Sequence, residues 1–201
     1  MNKKYIFVTV LALLFSGCVS MSTLQTARVL EENEKEFGFA AYTMTDYTLL
    51  IETEEDEDEL TSITGGTIEA FTRTSIGKNF DMGVKAYFIG AIVDGKYQFY
   101  DGDRFAMALD LGIGYNRLTA SDEKITILDL YPTLLMTYDI SKNINVTFAP
   151  KMIARFISGP TETSTLTGGT MMLKFGRIMP EIGYYVNDTD NITTFGVGIA
   201  W

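Results

Sequence analysis

The chain closes on ITTFGVGIAW, residues 192–201. Phe195, Val197, Ile199 and Trp201 alternate with Thr194, Gly196, Gly198 and Ala200. A strand turns successive side chains to opposite faces, so this stretch has one large apolar face and one small face. A helix would mix the two sets. The last residue is also the only tryptophan of the chain. The alternation and the terminal ring both need a reason, and the upstream sequence supplies one for the first.

The same design repeats. In FAMALDLGIGYN, residues 105–116, Phe105, Met107, Leu109, Leu111, Ile113 and Tyr115 share one face. Ala106, Ala108, Asp110, Gly112, Gly114 and Asn116 share the other. NINVTFAPKMIARF, residues 143–156, alternates likewise, with Ile153 as an apolar exception on the polar face. In DLYPTLLMTYD, residues 129–139, Tyr131 and Leu135 break the same face. Such segments predict ten strands, over 36–51, 62–76, 79–92, 94–100, 104–118, 124–139, 143–157, 163–176, 178–187 and 190–201. Their connections alternate in kind. GKN (77–79), YDGDR (100–104), SKN (141–143) and GRI (176–178) are short, and each carries a lysine or arginine. ETEEDEDEL (52–60), TASDEK (119–124), SGPTETS (158–164) and NDTDN (187–191) are longer and acidic. The connection near 92–95 is short although its place in the order puts it among the long ones.

Composition narrows the function. The chain has 201 residues, enough for one domain, with 26 acids against 16 bases and a net charge of −10. That balance argues against nucleic acid as a partner, because phosphate binding needs basic surface. There is no histidine, which excludes imidazole-based acid–base and nucleophilic mechanisms and histidine-ligated zinc. One cysteine excludes an internal disulfide.

The amino terminus reads MNKKYIFVTVLALLFSGCVS. Lys3 and Lys4 precede an apolar stretch over residues 5–15, and small residues follow. This is the pattern of a secretory signal. FSGC, residues 15–18, resembles the lipobox of bacterial lipoproteins, departing from it at Phe15, where leucine is commoner. The resemblance implies cleavage after residue 17, acylation of Cys18, and passage through the lipoprotein-export machinery. Val19 after the cysteine resembles the pattern that sends lipoproteins to the outer membrane. Residues 18–35 are expected to form an acylated periplasmic tether.

Periodicity alone leaves open which face of the strands meets water. A soluble sandwich buries its apolar face; a membrane barrel turns it outward. The small face is rich in glycine, alanine and charge, which suits a narrow lumen. Aromatic residues gather near strand ends, as interfacial girdles do. Residues 36–201 resemble the bacterial outer-membrane β-barrels as a pattern, and the most specific element is the closing strand. Phe195, Val197, Ile199 and Trp201 look like the assembly signal of that class, which implies recognition by the barrel-assembly machinery. The expected fold is therefore an all-β, antiparallel, up-and-down transmembrane barrel of about ten strands, in contact with outer-membrane lipids. The implied location is the bacterial outer membrane, with the anchor on the periplasmic side.

The inward face is expected to carry Glu69, Asp81, Asp110, Asp129 and Glu181 together with Arg73, Lys85, Lys96, Lys151, Arg155 and Lys174. Charges in a narrow lumen must be paired or hydrated. The first expectation is a lumen closed by ion pairs and a structural or surface-interaction role. The alternatives are a narrow channel for ions or small solutes, and a lipid-anchored soluble periplasmic carrier. No catalytic residue, metal ligand or cofactor is expected. The acidic run over residues 52–59 lacks the spacing and central glycine of a calcium loop and reads as a solvated tip.

Overall fold

The computed structural model describes residues 20–48, 62–120, 123–158, 163–187 and 191–201. The signal segment, Cys18 and the acidic run 52–59 lie outside the described residues. Wherever large apolar and small residues alternate, the chain is extended. The strands are β1 (Lys35–Thr48), β2 (Ser62–Gly77), β3 (Phe80–Tyr87), β4 (Gly90–Asp101) and β5 (Phe105–Ala120). They continue as β6 (Glu123–Ser141), β7 (Ile144–Ile157), β8 (Thr163–Phe175), β9 (Ile178–Val186) and β10 (Asn191–Ala200). Each pairs antiparallel with its sequence neighbours, and β10 pairs with β1 to close the barrel. The final residue takes part in the closure. The Phe37 and Trp201 backbones exchange N–H···O bonds of 3.1 and 2.9 Å. Their rings stand edge-on, 5.6 Å apart, with Phe39 5.0 Å from Phe37.

The faces fall as the alternation requires. In β5, Leu109, Leu111 and Ile113 are 51–57% exposed, while Ala106, Ala108 and Asn116 are fully buried. In β10, Phe195, Val197, Ile199 and Trp201 point outward, and Thr194, Gly196, Gly198 and Ala200 inward. A barrel that shows a wall of Leu, Ile, Phe and Met to its surroundings and hides its charges is built for hydrocarbon, where each backbone polar group must be paired within the sheet. Four short turns cluster at one end, and β1 begins there beside the end of β10. At the other end β3 and β4 meet across residues 88–89.

Two expectations need correction. The third strand stops at Tyr87 rather than near residue 92, and β4 starts at Gly90. The connection expected near 92–95 lies inside β4, where Asp94 faces a buried arginine across the lumen wall. The second concerns the expected tether. Residues 20–30 do not hang outside the barrel. They run through its lumen, with Ser20 to Gln25 and Ala27 buried, and turn at the exposed residues 31–34 into β1. Asn33 takes a positive φ of 68° in that turn. The lumen offers this segment hydrogen-bond partners for its backbone, and bulk water offers no apolar seats for Met21, Leu24 and Ala27.

Candidate functional site

The lumen is the site, and its floor plan follows from strand register. Asp129 of β6 stands opposite Arg155 of β7, and Asp81 of β3 opposite Lys96 of β4. Both pairs form ion pairs, at 2.9 and 3.0 Å. Arg73 of β2 reaches further, to Asp94 of β4, passing over β3. Gly83 lies between them, opposite both. A Cβ there would sit 2.6 Å from the Arg73 guanidinium and 2.7 Å from the Asp94 carboxylate. The missing side chain is what lets the pair form. Lys174 pairs with Glu36 at 3.0 Å near the short-turn end.

The other charges, and Lys96 and Asp81 in addition to their own pair, bind the threaded segment. Lys151 donates to the Met21 and Ser22 carbonyls, both at 3.0 Å. Lys85 donates to the Ser22 and Thr23 carbonyls, both at 2.9 Å. Lys96 donates to the Thr26 and Arg28 carbonyls at 3.0 and 2.7 Å. Glu181 accepts the Thr23 N–H at 2.9 Å and the Leu24 N–H at 2.8 Å. Asp81 accepts the Leu30 N–H at 3.2 Å. Neutral groups fill the gaps: Thr137 accepts from Ala27 N–H at 2.7 Å, and Gln98 from Val29 N–H at 3.0 Å. Side chains are read as well. Ser20 and Ser22 donate to Glu69, Gln25 to Asp110, and Arg28 binds Asp101 and Asp139.

Three apolar seats complete the fit. Met21 joins Tyr42, Met44, Tyr87, Ile92, Tyr131, Ile153, Leu166, Tyr185 and Ile192. Leu24 packs with Ala40, Phe71, Met172, Met179 and Ala200. Ala27 meets Ala106, Ala108, Leu135 and Ala149. The exceptions to alternation, Tyr131, Leu135 and Ile153, are thus lumen residues that line these seats. Below the segment, a cavity of about 830 Å³ opens at the short-turn end. Arg28, Lys96, Asp139, Lys142 and Lys174 are among its lining residues.

Of the eleven expected lumen charges, ten are buried, and Lys174 is half-buried beside Glu36 near the short-turn end. Sequence reasoning missed Asp94, Gln98, Thr137 and the whole segment that they surround. It expected the charges to close the lumen by pairing with one another; Lys85, Lys151, Glu69 and Glu181 bind residues 20–24 instead. The three apolar exceptions were the available sign that something non-aqueous fills the lumen. Among the described residues, no group of three acidic or cysteine side chains is placed to hold a metal ion.

No family profile matches the chain, and no curated protein matches it in sequence. Solved structures do. The COG4313 outer membrane channel from Pseudomonas putida F1 superposes with a TM-score of 0.53 at 12% identity, covering 90% of this chain and 100% of that one. The KdgM porin in complex with oligogalacturonate gives 0.39 at 8% identity, over 81% and 98% of the two chains. Neisserial surface protein A gives 0.38 at 10% identity, over 83% and 95%. The first of these, together with the closed sheet and the apolar exterior, defines the class: a ten-stranded antiparallel barrel of the outer-membrane type.

Proposed function

We propose that this protein is an outer-membrane barrel stoppered at rest by its own amino-terminal segment, and that it passes small charged solutes when that segment is withdrawn. One observation carries the reading: four wall charges, Lys85, Lys151, Glu69 and Glu181, bind the segment and form no ion pair with one another. Withdrawing residues 20–30 leaves Lys85, Lys151, Glu69 and Glu181 facing an open, charged path. Such groups must then be hydrated. A barrel serving only as a structural plug gains nothing from charges that its own wall does not pair. The cavity at the short-turn end would be the vestibule of the path.

The location rests on the apolar exterior and the fold, and the short turns would face the periplasm, as they do in barrels of this type. Acylation of Cys18 is part of the proposal, on the lipobox at residues 15–18. An inner-leaflet position for that anchor is at odds with the path of the threaded segment. Cys18 is two residues from Ser20, about 7 Å of extended chain at most, and Ser20 is fully buried within the lumen.

Planar-bilayer conductance tests the reading. The full chain should be silent or nearly so. Lys85→Met with Lys151→Met removes every lysine donor to the Met21, Ser22 and Thr23 carbonyls and should produce discrete openings. Folded double variant that stays silent across a range of salt and voltage would leave only the structural role.

A further inference from the structure

The contacts around residues 20–30 have an unusual character: they address the main chain. Five carbonyls, those of Met21, Ser22, Thr23, Thr26 and Arg28, receive lysine ammonium groups. The N–H groups of Thr23, Leu24, Ala27, Val29 and Leu30 each meet a side-chain oxygen. The Tyr185 hydroxyl adds a second donor to the Met21 carbonyl at 3.0 Å. Strand-addition modes of peptide binding obtain affinity from the same backbone groups, there supplied by a sheet edge. Here side chains on the inner wall of a closed sheet replace the edge. The apolar seats recur every three residues, at Met21, Leu24 and Ala27, and fix the register. Among the described residues no covalent bond ties the segment to the wall; its tie to β1 is the exposed turn at residues 31–34.

We infer that the lumen is a binding site for an extended peptide, recognised mainly through its backbone, and that residues 20–30 are the cis occupant, exchangeable for a peptide supplied from outside. This rests on the reading of that segment as a removable stopper, and it names the ligand class of the same site. The ligand is an extended chain with modest apolar side chains three residues apart, small polar ones between them, and a cation at its short-turn end. Arg28 supplies that cation, held between Asp101 and Asp139.

The test converts the cis occupant into a free ligand. A specific protease site is inserted after Glu32 in the full chain, which is folded in detergent and then cut. A fluorescent synthetic peptide with the sequence of residues 20–30 is added over a range of salt. The cut barrel should release its own fragment and take up the peptide; the uncut barrel should not. Methylating the peptide nitrogens of Thr23 and Leu24 removes both hydrogen bonds to Glu181 and should weaken binding about tenfold or more. Replacing the side chains of Thr26 and Val29, which lie half-exposed toward the vestibule, should change it by less than about threefold. Failure of the cut, still folded barrel to exchange its segment overturns the inference, and so does equal binding of the methylated peptide. The conduction reading fails separately. A cut barrel that exchanges peptide yet never conducts sinks conduction alone, and one that conducts without exchange sinks the peptide site alone.

Discussion

At the scale of single residues, the lumen is built by omission as much as by addition. Gly83 carries nothing, so Arg73 and Asp94 meet across it. Gly114 leaves room for the Tyr131 ring, whose hydroxyl donates to Asp129 at 3.0 Å. A buried ion pair is poor evidence of net stability, but breaking one is costly, because the survivor is left charged and dry. Asp94→Ala should therefore destabilise the barrel by about 3–5 kcal/mol, measured by urea unfolding in lipid vesicles. Replacing both partners, Arg73→Met with Asp94→Leu, should recover most of that loss, since two apolar residues leave no orphan charge. If the double variant is as unstable as the single one, the pair is not an isolated unit. Gly83→Leu should mimic the single loss while keeping both charges, because its side chain occupies the space through which they touch.

Among the elements, β10 and the threaded segment differ in how plainly the sequence declared them. Period-two alternation exposed β10, its faces and its neighbours, because a side chain in hydrocarbon and one in a lumen must differ in kind. Trp201 belongs to that element in two ways: its backbone bonds Phe37 and its ring packs edge-on against the Phe37 ring. Removing Trp201 should thus lower the yield of folded, membrane-inserted barrel in cells far more than removing one residue from the 158–163 connection. Equal yields for the two deletions would show that the final residue carries no special role in closure. Register was legible only in part: Asp129 faces Arg155 across the short turn expected at residues 141–143, whereas Asp81 faces Lys96 only once the β3–β4 turn is placed at residues 88–89. The β3–β4 hairpin was misplaced because Asp-Gly favours turns by local propensity, and the buried pairing of Asp94 overrode it. The segment 20–30 was hidden for a deeper reason. Recognition through backbone groups leaves no side-chain motif to read. Its seats include Tyr131, Leu135 and Ile153, which break the alternation, together with Tyr42, Phe71, Met172, Tyr185 and Ile192 on the same inward face.

For the molecule as a whole, the solvent on each side of the wall decides the sequence. A soluble barrel of the same strands would place Leu109, Leu111, Ile113, Phe195 and Ile199 inside and the carboxylates and lysines outside. Here the order is reversed, with six carboxylates (Glu69, Asp81, Asp94, Asp110, Asp129 and Glu181) and five cations (Arg73, Lys85, Lys96, Lys151 and Arg155) buried among the described residues. An outward apolar wall in water would drive aggregation, since exposed contiguous apolar patches above a few hundred Å² are rare on soluble monomers. The acyl group expected at Cys18 would also confer attachment to membranes, so it has to be removed before the wall is judged. In a Cys18→Ser variant exported through a plain signal peptide, only the barrel wall can hold the protein in lipid. That variant should still require detergent for extraction. It should also migrate faster unboiled than boiled on gels, because a closed sheet whose backbone bonds are satisfied internally stays compact until heated. A Cys18→Ser protein that remains a folded monomer in plain buffer, with one unchanged band on heating, would mean that the apolar wall faces something other than lipid, and the membrane reading would fall with it.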